Sequence, residues 1–147
     1  MSIDLFAAEA LIIARLRALV SVPGVKIGSA AAVAGRTDMS AFLPGAFVLP
    51  GAAQRVDFGD EGMLILENQT WTVVCVAALN RDTAGLNAQY SATLGGLAEQ
   101  VLTALSGWLP AADFKPLIHT HRDAPQVQQG GWVELALSFE TVAPQGV

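Results

Sequence analysis

The chain has 147 residues, a length that suits one domain with one hydrophobic core. Only 14% of its residues are charged against 52% hydrophobic, and the formal net charge is −5. Eight scattered Lys and Arg make no basic stripe for phosphates, and no apolar run reaches the ~18 residues of a membrane helix, so sequence-specific nucleic-acid binding and membrane insertion are both excluded.

Residues 1–4 lack the basic head of a signal peptide, which predicts a protein made and kept in the cytoplasm. Ser2 or Asp4 can cap a first helix running to about Val20, with Leu5, Ala8, Leu11, Ile12, Leu16 and Leu19 on one stripe. Pro23 and Gly24 end it. A short extended piece over 25–27 leads into one or two alanine-rich turns over 29–34. Ala46 to Leu49 reads as a short strand fenced by Pro44, Gly45, Pro50 and Gly51, and 51–62 as a mobile loop or a hairpin tip. Residues 63–66 are strand-like and either continue through a bulge into the next strand or turn back as a hairpin.

The stretch 69–79, Q-T-W-T-V-V-C-V-A-A-L, organises the rest. Trp71, Val73, Cys75 and Ala77 fall on one face of an extended chain, and Thr72, Val74, Val76 and Ala78 on the other. Both faces are apolar past Thr72, which predicts a central strand covered on both sides. Cys75 cannot pair internally, since no other cysteine exists, and in mid-strand it reads as a small buried hydrophobe.

Polar residues follow, among them Arg81 and Asp82, a pair suited to a subunit contact or to a solvated turn. A second helix then runs from Ala84 or Asn87 to Ser106, with Tyr90, Leu94, Leu97, Val101, Leu105 and Trp108 at three- and four-residue steps. Gly95 and Gly96 inside it predict close approach to the sheet or to a neighbouring subunit. Gly107 and Pro110 stop it. Residues 114–121 form a strand, 123–131 a loop rich in Pro, Gln and Gly, and 132–142 a final strand. Its Val133, Leu135, Leu137 and Phe139 alternate with Trp132, Glu134, Ala136, Ser138 and Glu140, so one face is wet. The tail from 143 is expected to be loose. The fold class is α+β: one two-layer domain over residues 1–147, a mixed and mostly antiparallel sheet packed with two main helices.

His119, His121 and Asp123 are the strongest candidates for chemistry. On a regular strand they share one face, and two imidazoles with a carboxylate can ligate zinc or iron. The spacing is similar to the start of the H-x-H-x-D-H motif of metallo-β-lactamase-like hydrolases, but Ala124 stands where that motif has its last histidine and the chain has no third one. There is no G-x-S-x-G elbow, no phosphate-binding loop and no dinucleotide fingerprint. The reading is therefore no enzyme, no catalytic residue, no metal and no cofactor. Trp71, Trp108 and Trp132 read as core anchors, with an interface role as the alternative.

The opening I-D-L-F-A-A-E-A-L-I-I-A-R-L-R-A-L over 3–19 with V-P-G-V-K over 22–26 resembles the tail terminator, or tail completion, proteins of tailed bacteriophages and prophages. So do A-F-V-L (46–49), Q-T-W-T-V (69–73), L-S-G-W (105–108), F-K-P-L (114–117) and L-S-F-E-T (137–141). The resemblance implies a structural virion protein at the tail–neck junction. It would form a hexameric ring on the head-proximal end of the tail tube, binding the major tail tube protein on one side and a head-completion or neck protein on the other. A ring closed by a heterologous contact needs two different lateral faces on each subunit, and the low charge suits that. Loops 36–42, 51–62 and 123–131, the first two carrying Phe42 and Phe58, are candidate docking arms. The alternatives are a head-completion or neck connector protein, or a small metal-dependent enzyme using His119, His121 and Asp123.

Overall fold

The structure, a computed structural model, describes residues 6–58, 64–79 and 90–146. Two helices, α1 (Ala7–Leu19) and α2 (Ser91–Leu105), pack on one six-stranded sheet built from β1 (Lys26–Ser29), β2 (Gly45–Phe58), β3 (Leu64–Ala78), β4 (Ile118–Arg122), β5 (Gln126–Gln128) and β6 (Trp132–Gly146). The order across the sheet is β1-β2-β3-β6-β4, with β5 also on β6. β1 runs parallel to β2, and every other pairing is antiparallel. The fold is α+β, as the sequence predicts.

β3 is central, and its two faces are covered differently. Trp71, Val73, Cys75 and Ala77 are fully buried under the helices with Ile12, Leu16, Leu97, Val101 and Leu137. On the other face Val76 joins Met39 and Phe47 in a small second cluster, which the segment between β1 and β2 folds over. The alternation in β6 also holds: Val133, Leu135, Leu137 and Phe139 are buried, and the residues between them are half-exposed.

Past Trp71 the inner face of the sheet admits polar residues. Trp71 faces Phe139, the next inner pair is Gln69 with Thr141, and the next is Glu67 with Ala143. Burying Gln69 and Thr141 is tolerated because their polar atoms are bonded. Trp71 Nε1 donates to Gln69 Oε1 at 3.1 Å, Gln69 Nε2 donates to Glu67 Oε1 at 3.0 Å, and Thr141 Oγ1 donates to the Lys115 carbonyl at 2.6 Å.

Several boundaries differ from the sequence reading. β2 does not end at Leu49 but continues to Phe58, so residues 51–58 are strand rather than loop. Extra residues opposite Thr70 and between Arg55 and Asp57 make two bulges, both on β2, while β3 pairs β6 without a register shift. Pro50 needs no ladder donor at this point, since β1 has already ended opposite Val48. Gly51 is favoured by contact: a Cβ there would lie a tight 3.0 Å from the Thr70 carbonyl oxygen. β6 likewise runs through the expected loose tail to Gly146, held by β3.

β4 begins at Ile118 rather than at 114, and β5 lies inside the expected loop 123–131. Leu117, just before β4, is tied to the helix exit instead. Its N–H bonds the Trp108 carbonyl, and its own carbonyl accepts from Gly107, which ends α2 at φ 76° as the sequence predicts. The capping residues Ser2 and Asp4 lie outside the described residues, as do Arg81, Asp82 and the proposed start of the second helix.

The two long edges of the sheet are unlike. At β1, Lys26 turns its N–H to Pro44 of the neighbouring chain segment, so Ile27 points its carbonyl outward, and Arg17 of α1 caps that carbonyl through Nε at 3.2 Å and Nη2 at 2.9 Å. The opposite edge is made by β4 and β5.

Candidate interaction surfaces

The histidine pair is divided by a bulge. His119 is opposite Phe139 and His121 is opposite Ser138, so Thr120 is the extra residue. Residues directly opposite share a face. His119 therefore goes with the inner face, its ring tilted against Phe139 at 5.3 Å and Nδ1 3.1 Å from the Ser138 carbonyl, while His121 goes with the outer face. The expectation that His119, His121 and Asp123 line one face is overturned. His121 Nε2 meets Asp123 Oδ1 at 2.6 Å, with both side chains more than half exposed. Among the described residues no three His, Cys, Asp or Glu are grouped to hold a metal ion.

Of the proposed docking arms, 36–42 is folded onto its own sheet. Met39 is buried, Phe42 packs edge-on against Phe47 at 6.3 Å, and the Arg36 guanidinium lies over Phe42 at 5.1 Å. Asp38 accepts from the Ser40 N–H at 3.0 Å, a bond that lowers its pKa. In the second arm residues 51–58 are sheet, and 59–62 lie outside the described residues. In the third, β5 pins the middle to β6, and Gln128 Nε2 bonds Glu134 Oε1 at 2.9 Å.

Trp71 is a core anchor. Trp108 is half-buried beneath Arg15, whose guanidinium sits 5.4 Å from the ring and donates to the Ala104 carbonyl at 3.0 Å. Trp132 leans on the small second cluster. Cys75 is buried, as the sequence predicts for a small hydrophobe in mid-strand, and loss of hydration raises its thiol pKa to about 12.

The residues that sequence reasoning missed are apolar side chains at the sheet edges. Ile118, 64% exposed, and Val127, 62% exposed, stand on β4 and β5, and Leu49, 44% exposed, stands on β2 just past the end of β1. A signal for Ile118 existed: Leu117 and Ile118 are adjacent, so a one-sided edge can bury only one of them, and Leu117 is the buried one. Beside Leu49 lies a groove of about 450 Å³ with an almost wholly apolar lining, walled by Pro50, Ala30, Ala31 and Ala34, with Glu9 at its margin.

The whole-chain pattern has a counterpart among known families. A family model described as phage tail terminator protein matches residues 1–145. The chain belongs to the phage tail terminator family. Membership makes it a structural component of the phage virion, and the resemblance read from the sequence is correct. A comparison with curated proteins finds no match. Among solved structures, a chain from one titled virion of native gene transfer agent particle is similar, with a TM-score of 0.56, 19% identity and 94% of each chain covered. At that identity the likeness is one of fold: this terminator-family chain and that virion chain share the helix and sheet arrangement over nearly their whole length.

Proposed function

We propose that this protein forms a ring, hexameric as the family resemblance implies, on the head-proximal end of a phage tail tube. There it stops tube growth and presents the surface that receives the head. The observation that carries the reading is the family match over residues 1–145. The structure is compatible with it in a specific way: the sheet has two unlike edges, one capped by Arg17 and one bearing Ile118 and Val127, as a subunit in a heterologous ring needs. A tube is an open stack that grows until a ring binds its end without offering a further tube-like face, so termination requires no bond to be made or broken. On this reading the partners are the last ring of the tail tube protein and a neck protein on the head side, the site is the tail–neck junction, and the protein is not an enzyme.

The test is electron microscopy of particles assembled without this protein. Overlong or ragged tubes lacking heads support the proposal. Tubes of normal length lying beside filled heads assign the protein to the neck instead, and intact virions refute both.

A further inference from the structure

We propose, on the ring reading above, that the lateral contact seats Ile118 of one subunit in the Leu49 groove of the next, with Lys115 of the first facing Glu9 of the second.

Three observations lead to this pairing of a second copy with the groove. The first is shape and polarity. β1 stops at Ser29, opposite Val48, so beyond that point the outer side of β2 carries no strand among the described residues, and the groove fills this notch. Ile118 projects from the other edge of the same sheet, at the first residue of β4. An apolar knob on one edge and an apolar socket on the other make a head-to-tail contact rather than a self-complementary one.

The second is height. Pro50 lies in the row of Trp71 and Phe139, and Ile118 in the adjacent row of Thr70 and Glu140. One row is ~3.4 Å along an antiparallel strand. In a ring whose axis follows the strands, knob and socket lie at nearly the same level, which is what closure by rotation without rise demands. Val127 fails this criterion, since it is opposite Val133, several rows away.

The third is charge. Glu9 is the charged residue on the groove wall, and Lys115 shares a shallow hollow with Ile118. Among the described residues the ion pair present is His121 with Asp123, and neither Glu9 nor Lys115 forms one with another described residue. Glu140 also lines the hollow and Arg122 lies on the same strand. Lys115 is the cation fixed beside Ile118, its backbone tied to Val142 and Thr141.

The experiment is native mass spectrometry and sedimentation of the full chain. Wild type forms the closed ring. Ile118→Asp and Leu49→Asp each abolish it while keeping the wild-type circular dichroism, and Val127→Asp leaves it intact. Mixing the two disruptive variants yields a heterodimer and nothing larger, because Ile118 of the Leu49→Asp chain still meets the intact groove of the Ile118→Asp chain. Glu9→Lys or Lys115→Glu alone weakens the ring at least tenfold in concentration, and the two together restore it. A wild-type chain that stays monomeric at every concentration, rings that survive Ile118→Asp, or a mixture without heterodimer overturns this contact. None of these results touches the tube-length test, which decides the function separately.

Discussion

Replacing Gly95 and Gly96 by alanine tests whether α2 is as open on that side as the structure shows. Both lie in the helix interior, and a Cβ added at either position meets no described residue within 4 Å. Glycine in a helix costs about 0.8–1 kcal/mol relative to alanine, through the backbone freedom it gives up, so the double variant should gain about 2 kcal/mol. For a chain of this length that corresponds to a rise in Tm of roughly 4–8 °C. The assay is thermal unfolding by circular dichroism for each single variant and the double, at one protein concentration so that assembly does not shift the comparison. An unchanged or lowered Tm refutes the reasoning, because the new methyls would then be striking something. The sequence suggested that these glycines allow close approach to the sheet or to a neighbouring subunit, and the sheet does not come close enough to either to be the reason. If the double variant melts higher but no longer assembles, the glycines serve a neighbouring subunit instead.

Leu137 is fully buried beneath the helices on β6, and Leu137→Ala should cost about 2–5 kcal/mol, read as a lower urea midpoint at unchanged slope. Exposed Val127→Ala should stay within about 0.5 kcal/mol of wild type, and a similar loss at both positions would contradict the burial pattern. Cys75 makes stability depend on alkaline pH. Burial raises its pKa from 9.0 to about 12, so below pH 9 the thiol is neutral in both states and its contribution is whole. As pH climbs through that window the unfolded thiol ionises and the native one does not, which removes about 1.4 kcal/mol per pH unit, roughly 4 kcal/mol in all. Wild type should therefore lose stability faster than Cys75→Ala above pH 9, and parallel curves would show that the thiol is not held neutral. Zinc should leave the Tm where it is, since the Thr120 bulge sets His119 and His121 on opposite faces. A zinc-induced rise abolished by His121→Ala would mean that the pair converges after all.

The periodic parts of the chain were legible, and the parts governed by pairing partners were not. Residues 71–78 and 132–140 announce their faces by alternation, because what covers each face also selects its side chains. β2 beyond Leu49 gives the opposite signals, Pro50 and Gly51, which ordinarily end a strand. It continues because the bulge absorbs the mismatch and Gly51 can lie against Thr70. The end of β6, with Pro144, is ordered by the length of β3 rather than by its own propensity. The bulge at Thr120 left no mark in the sequence, and it decides the histidine question, since one inserted residue sends every later side chain to the other face. Nor did the loop around Met39 and Phe42 show that its apolar residues are spent on covering Phe47 and Val76.

The bond from Arg17 to the Ile27 carbonyl reaches beyond local stability. An outward-facing carbonyl on an outermost strand is an invitation to any extended peptide nearby, including a partly folded copy of the same chain. With that acceptor already occupied by a guanidinium at two points, a strand arriving at β1 would have to displace a charged side chain to use this carbonyl. This capped carbonyl thus discourages crowded copies from pairing edge to edge along this border, and Arg17→Ala should raise the light scattering of a concentrated solution above that of wild type.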